Sequence, residues 1–391
     1  MSSPAAKSPF VAIACGGTGG HLFPGLSVAE QLIKCGCDVA LLISPKDVDQ
    51  QAVKSATGME IFTLPAVALQ NRNFFSFAHS FWQSWRATKK IFQARPPQAV
   101  LAMGGFTSAP PVLVGNALGA KTLLHESNTI PGRANRFLSR FVNEAFVGFP
   151  DAGAQLKSRN VTTTGTPVRS QFQPREVSEC RVALGLDPNR PTILVTGGSQ
   201  GASGLNEMIL SALPLLAQKN WQWLHLTGTN DFEKVNVAYA ARGIKAVVKP
   251  FLAEMELALG AATASVNRSG ASSLAEIAAM RLPSLLVPYP TAADNHQFFN
   301  ASAFEKTGAA KLLEQKNSTP GKIAAILTAL VEDETVRAKM QPALAQWHAP
   351  KASEQIAGII LDVIAQPVTA GRGQTKKCGC GHAHGPAKHA H

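Results

Sequence analysis

At 391 residues the chain is longer than one hydrophobic core usually supports, so two domains of comparable size are expected. Hydrophobic residues make up 45% and charged residues 16%, a globular balance that excludes wholesale disorder. The formal charge of +12 points to anionic partners, whether nucleic acid, phosphorylated metabolites or a bilayer surface, without choosing among them.

Met1 to Pro9 lacks the apolar stretch of a signal peptide and no run is long enough to span a bilayer, so the cytosol is the expected location. Six cysteines, at 15, 35, 37, 180, 378 and 380, are too sparse for a disulfide framework and are expected as thiols. Apolar or β-branched runs at Phe10–Ala14, Asp38–Ser44, Gln98–Met103, Lys121–His125 and Glu144–Phe149 predict strands, with amphipathic helices between them. That alternation predicts a doubly wound α/β domain, because parallel strands need crossover helices. A second series follows at Thr192–Thr196, Trp221–Thr227, Lys245–Lys249, Thr263–Val266 and Ser284–Pro288. Between the two series, Thr162-Thr-Thr-Gly-Thr-Pro-Val-Arg169 suits a hinge. The expected domains are therefore residues 8–168 and 169–350. From Thr319 the pattern is helical, and residues 367–391 hold too little apolar matter to pack and predict a disordered tail.

Three glycine-rich turns follow predicted strands: Gly16-Gly-Thr-Gly-Gly-His21, Met103-Gly-Gly-Phe-Thr-Ser108 and Gly197-Gly-Ser-Gln-Gly-Ala202. A helix beginning there offers free N–H groups and the positive end of its dipole, and glycine lets a phosphate approach the backbone. Any one such turn is equally explained by tight packing. Three at equivalent places in two similar halves predict phosphate-bearing ligands facing each other across a cleft. A nicotinamide enzyme is disfavoured, because the first turn lacks the G-x-G-x-x-G spacing and no acidic residue ends the strand at Leu41–Ser44. A non-catalytic basic membrane-binding or nucleic-acid-binding protein would account for the charge and leave the paired turns unexplained.

The same turns, with His125-Glu-Ser-Asn128, Gly165-Thr-Pro-Val-Arg169, Arg268-Ser-Gly-Ala271 with Glu276, and Asp294-Asn-His-Gln297 with Asn300, resemble the MurG family over nearly the whole chain. The resemblance implies a GT-B fold of two Rossmann-like domains, with the helix at 351–365 returning to the first. It implies inverting transfer of N-acetylglucosamine from UDP-N-acetylglucosamine to the C4 hydroxyl of undecaprenyl-pyrophosphoryl-N-acetylmuramoyl-pentapeptide, at the cytoplasmic face of the plasma membrane. Another lipid acceptor is the alternative within this class. Motif matching places donor contacts at Thr18, Gly19, Gly20, Asn128, Arg169, Ser199, Leu252, Ala271, Ser272, Ser273, Leu274, Ala275, Glu276 and Gln297. The first N–H groups from Ala271 onward would take the diphosphate, Glu276 the ribose hydroxyls, and Leu252 the uracil. Asn128 and Gln297 would reach sugar hydroxyls, and Arg169 and Ser199 phosphate. Ser127 and Thr166 depart from the family pattern, which often has Gln and Asn there.

His21 is the first candidate for the general base, with a structural or acceptor-phosphate role as the rival and Glu126 and Asp294 in reserve. The cleft motifs carry no Asp-x-Asp, so no metal or cofactor is expected, with helix dipoles and Arg169 countering the diphosphate charge. The aromatic run Phe74 to Trp85, followed by Arg86, Lys89, Lys90 and Arg95, would by composition alone be core. The lipid-linked acceptor that the resemblance implies turns it into an interfacial anchor on an anionic membrane, with Phe75, Phe81, Trp82 and Trp85 including the bilayer-facing set. Nucleic acid is not an expected partner. The Cys/His-rich end at 376–391 has no standard zinc spacing, although it could chelate Zn, Ni or Cu.

Overall fold

The computed structural model describes residues 8–17, 19–46, 49–50, 53–65, 74–198 and 201–366. The strand runs become two parallel sheets. β1 (Phe10–Ala14), β2 (Asp38–Ile43), β3 (Glu60–Thr63), β4 (Ala99–Ala102), β5 (Lys121–Glu126), β6 (Glu144–Val147) and β7 (Val161–Thr163) form the first, in the order β3-β2-β1-β4-β5-β6-β7. β8 (Thr192–Thr196), β9 (Gln222–Leu226), β10 (Ala246–Lys249), β11 (Ala264–Asn267), β12 (Ser284–Leu286) and β13 (Lys311–Leu312) form the second, in the order β10-β9-β8-β11-β12-β13.

The central strands are apolar throughout because both faces of each sheet are covered. Every residue of β1 and β8 is buried. In the first sheet Val11 and Ile13 face a cluster with Leu22, Leu26 and Leu32 of helix Gly19–Lys34, whereas Ala12 and Ala14 face Phe92 of helix Phe74–Ala94. Ile356, Ala357 and Ile360 of helix Ala352–Ala365 lie in the same cluster as Val11 and Ile13, so the end of the chain packs on the first sheet.

The strands that pattern reading missed are β3, β7 and β13, which are short, edge-lying and largely solvent-facing. β7 occupies Thr162 and Thr163, so the first part of the stretch read as a hinge is an edge strand paired with β6. The strand predicted at Thr263–Val266 runs instead over Ala264–Asn267.

The strand order reverses between β1 and β4 in the first sheet and between β8 and β11 in the second. Beyond the carboxyl ends of strands at such a switch point lies a crevice suited to ligands. Gly16, Gly17, Gly19–His21 and Met103–Ser108 flank the first crevice, and Gly197, Gly198, Gly201, Ala202 and Arg268–Ala271 flank the second. All the glycine turns therefore open toward the ends of the sheets where the domains can share a cleft.

Candidate functional site

In the first domain, β1 runs so close to β2 that a Cβ on Gly16 would stand 2.4 Å from the Ser44 nitrogen. Glycine at 16 is thus a packing requirement. The Thr107 hydroxyl donates to the Gly16 carbonyl at 2.8 Å, and Lys46 Nζ donates to the Gly17 carbonyl at 2.9 Å. Gly19, Gly20 and His21 form the first turn of the helix that follows.

The His21 ring lies against the second glycine turn. Gly104 has φ +118°, and a Cβ there would lie 2.7 Å from His21 Cε1 and 2.8 Å from Nδ1. Gly104 therefore makes room for an imidazole, which phosphate reasoning did not anticipate. Nδ1 is buried and has no hydrogen-bond partner among the described residues. Burial pushes the imidazole below its ordinary pKa against the opposing charge of Glu126, leaving a neutral ring able to accept a proton.

Of the reserve bases, Glu126 is occupied. Its Oε1 accepts from the Asn128 N–H at 2.8 Å and Asn128 Nδ2 at 3.1 Å, and its Oε2 from the Gly132 N–H at 3.0 Å and Asn135 Nδ2 at 2.9 Å. It organises the loop around it. Asp294 pairs with Arg136 at 2.7 Å and with Arg133 at 3.7 Å, bridging the two domains. His125 is buried and held by the Gly165 carbonyl at 3.0 Å, with its pKa lowered mainly by burial.

In the second domain, helix Ala271–Met280 starts at Gly270 with no side-chain cap, so its first N–H groups are available to an anion. The Ser272 hydroxyl donates to the Gly20 carbonyl at 3.0 Å, placing this helix start directly against that of helix Gly19–Lys34. Two helix N-termini, each a positive pole, meet in one cleft. Leu274 is fully buried in the core, so only its backbone can serve a ligand, and Leu252 and Ala271 belong to the same cluster. Ser273 and Ala275 are half-buried in the first turns.

Arg169 crosses from the interdomain segment to this helix. Its Nη2 stands 3.6 Å from Glu276 Oε1, and its guanidinium lies over Phe23 at 4.2 Å and Phe172 at 4.9 Å. Burial pushes the Glu276 carboxyl up to about 7, with Arg169 opposing the shift and Glu256 adding to it.

Gln297 is oriented rather than free. Its Oε1 accepts from the Ser269 N–H at 3.3 Å and the Tyr289 N–H at 3.0 Å, leaving the amide Nε2 to donate. Asn128 is spent inside the protein: Nδ2 donates to Glu126, and Oδ1 accepts from Asn300 Nδ2 at 3.0 Å. Asn300, fully buried, also donates to the Ser269 carbonyl at 3.1 Å and accepts from the Thr129 N–H and hydroxyl, both at 2.9 Å. It ties the loop after β5 to the second domain, a role that its motif membership alone did not reveal.

Gly19, Gly20, Arg169, Ser272 and Glu276 thus line one cluster, and Asn128 reaches Gln297 through Asn300 and Ser269. Thr18, Ser199 and the 367–391 tail lie outside the described residues. Sequence reasoning missed Asp49, whose carboxylate holds the Gly17 N–H at 2.7 Å. An Asp in the segment after β2, 32 positions away, carries no local signal of that contact.

The expected membrane-facing quartet divides. Phe75 and Trp82 are 85% and 52% exposed, with Arg86 4.6 Å from the Trp82 ring centre. Phe81 and Trp85 instead pack on the core cluster of Phe92 and Leu64. Arg95 is engaged by Asp38 and Glu60, whereas Lys89 and Lys90 are exposed. Among the described residues no helix is long and apolar enough to cross a membrane, and no cluster of three or more His, Cys, Asp or Glu could hold a metal ion.

Residues 11–147 match the glycosyltransferase family 28 N-terminal domain, and residues 192–356 match its C-terminal domain. The UDP-N-acetylglucosamine–N-acetylmuramyl-(pentapeptide) pyrophosphoryl-undecaprenol N-acetylglucosamine transferase of Anaeromyxobacter sp. is 34% identical over 383 residues, covering 96% of this chain and 98% of the relative. The protein of the same name from Rhizobium johnstonii is 34% identical over 91% of this chain and 96% of its own length. Among solved structures, Acinetobacter baumannii MurG superposes with a TM-score of 0.71 at 26% identity, covering 91% of this chain and all (100%) of that one.

Proposed function

Because the chain belongs to glycosyltransferase family 28, and within it to the MurG transferases, we propose that it moves N-acetylglucosamine from UDP-N-acetylglucosamine to the C4 hydroxyl of lipid-linked N-acetylmuramoyl-pentapeptide, with inversion. The observation that carries this reading is the meeting of two helix starts at Ser272 and Gly20, 3.0 Å apart, in the cleft between the domains. The helix start at Ala271 suits a diphosphate, and the residue after Gly20 is the neutral His21.

The work divides by domain. Residues 169–350 hold the donor: the N–H groups from Ala271 onward stabilise the departing diphosphate, Arg169 adds charge, and Glu276 accepts from the ribose. Gln297 donates its amide to the sugar and Leu252 offers backbone to uracil. Residues 8–168, with the returning helix, present the acceptor, and His21 takes the proton of the attacking hydroxyl. Glu126 and Asn128 act through the loop that they shape. The acceptor's lipid keeps the enzyme peripheral on the cytoplasmic face of the plasma membrane, where Phe75 and Trp82 enter the interface beside Lys89 and Lys90.

Labelled UDP-N-acetylglucosamine incubated with the lipid-linked muramoyl-pentapeptide is expected to pass its label into the lipid fraction. Folded protein that binds the donor but leaves the lipid unlabelled would show that the acceptor is a different one.

A further inference from the structure

Asp49 is fully buried beside the first glycine turn. Its Oδ2 accepts three hydrogen bonds, from the Gly17 N–H at 2.7 Å, the Ser44 N–H at 3.2 Å and the Ser44 hydroxyl. Its Oδ1 is also buried and has no partner among the described residues. A carboxylate withdrawn from water costs several kcal/mol unless its surroundings compensate, so a half-satisfied one beside a reaction cleft calls for a reason.

The reason lies in what its donors are. Backbone N–H groups beyond the ends of β1 and β2 are where this kind of fold ordinarily receives a ligand's phosphate. Here the protein's own carboxylate takes them. The Gly16–Gly17 peptide is gripped at both ends, its N–H by Asp49 and its carbonyl by Thr107, while Lys46 holds the carbonyl of Gly17. Four residues further on stands His21.

We propose that Asp49 is a positioning residue for the transfer reaction: it fills the anion hole of the first glycine turn with an internal carboxylate, fixes the turn that carries His21, and keeps substrate phosphate away from the Gly17 N–H. The link to proton transfer rests on the reading of His21 as the base; the link to loop geometry does not.

The charged and titratable groups facing His21 are Glu126 from β5, Asp49 from the segment after β2, His296 from helix His296–Lys306, and the neighbouring His125. Glu126 and Asp49 both favour the imidazolium. Removing the Asp49 charge therefore lowers the His21 pKa and extends the neutral base to lower pH.

Two variants test this in the full chain, with UDP-N-acetylglucosamine and the lipid-linked acceptor. Asp49→Ala frees the turn, and kcat is expected to fall about 10- to 100-fold, as small misplacements of catalytic groups do, with the donor KM changed less than about twofold. Asp49→Asn keeps an acceptor oxygen and nearly the same shape. It is expected to recover most of that loss while moving the acidic limb of the kcat profile to lower pH. Wild-type kcat in Asp49→Ala overturns the positioning role, as does an equal loss in both variants. An unmoved acidic limb in Asp49→Asn overturns the coupling to His21. If Asp49→Ala fails to fold, judged by loss of donor binding, the Asn variant decides alone: a normal kcat with a displaced limb supports the proposal, and a normal kcat with an unmoved limb rejects it. Wild-type turnover in His21→Ala would remove the base assignment while leaving the Asp49→Ala comparison intact as the test of loop geometry.

Discussion

At the residue scale, the imidazole of His21 and the carboxyl of Glu276 are both kept away from their ordinary protonation by burial. His21→Ala is expected to reduce kcat by about 10²–10⁴, the usual contribution of a positioned acid or base, with little change in donor KM. Gly104→Ala should act in the same direction, because its Cβ would lie 2.7 Å from the ring and φ +118° already strains any side chain there. Glu276 titrates at about 7, above its ordinary value. As pH falls through that value the carboxylate is lost, and with it the acceptor for ribose hydroxyls. UDP-N-acetylglucosamine affinity, measured calorimetrically, is therefore expected to weaken between pH 8 and 6 and to lose that slope in Glu276→Gln. The linkage sign for folding is opposite: a raised carboxyl pKa adds stability at low pH, and that stability is lost as pH rises through about 7.

At the element scale, helix Phe74–Ala94 presents two kinds of aromatic. Phe75 and Trp82 are exposed, while Phe81 and Trp85 pack against the first domain's core. Charged replacements should separate the two roles. Phe75→Glu with Trp82→Glu is expected to abolish flotation with anionic liposomes and leave the melting temperature near wild type. Trp85→Glu is expected to destabilise the fold by about 1–3 kcal/mol through a charge pressed against apolar packing. Flotation of the double variant equal to wild type would move the membrane contact elsewhere. The aromatic spacing alone could not make this distinction, since a helix of 21 residues with aromatics on several faces offers more than one stripe to bury.

At the scale of the whole molecule, the cleft is closed by a few polar ties: Asn300 to Asn128 and Thr129, Asp294 to Arg136, and Ser272 to Gly20. Asn300 is the most committed of these, fully buried with both ends of its amide engaged. Asn300→Ala strands the Thr129 N–H and is expected to cost about 1–3 kcal/mol, read as a lowered midpoint in denaturant. Donor KM should rise as well, because Ser269, which Asn300 supports, also helps to orient Gln297.

Much of this was legible without coordinates. The central strands of both sheets announce themselves because parallel strands covered on both faces must be apolar throughout, and the family motifs mark both switch points. The edge strands β3, β7 and β13 did not, because solvent on one side removes the pattern that reading depends on. Sequence by itself determined the fold class and the family, since these follow from local periodicity and ordered motifs. Only the tertiary structure decided that Gly104 exists to seat His21, that Asn128 is spent on Asn300, that Phe81 and Trp85 face inward and that Asp49 fills the first glycine turn. Each of those is a contact between residues distant in the chain, and the free energy of a hydrogen bond or a van der Waals contact depends on separation in space, which no run of neighbouring residues encodes.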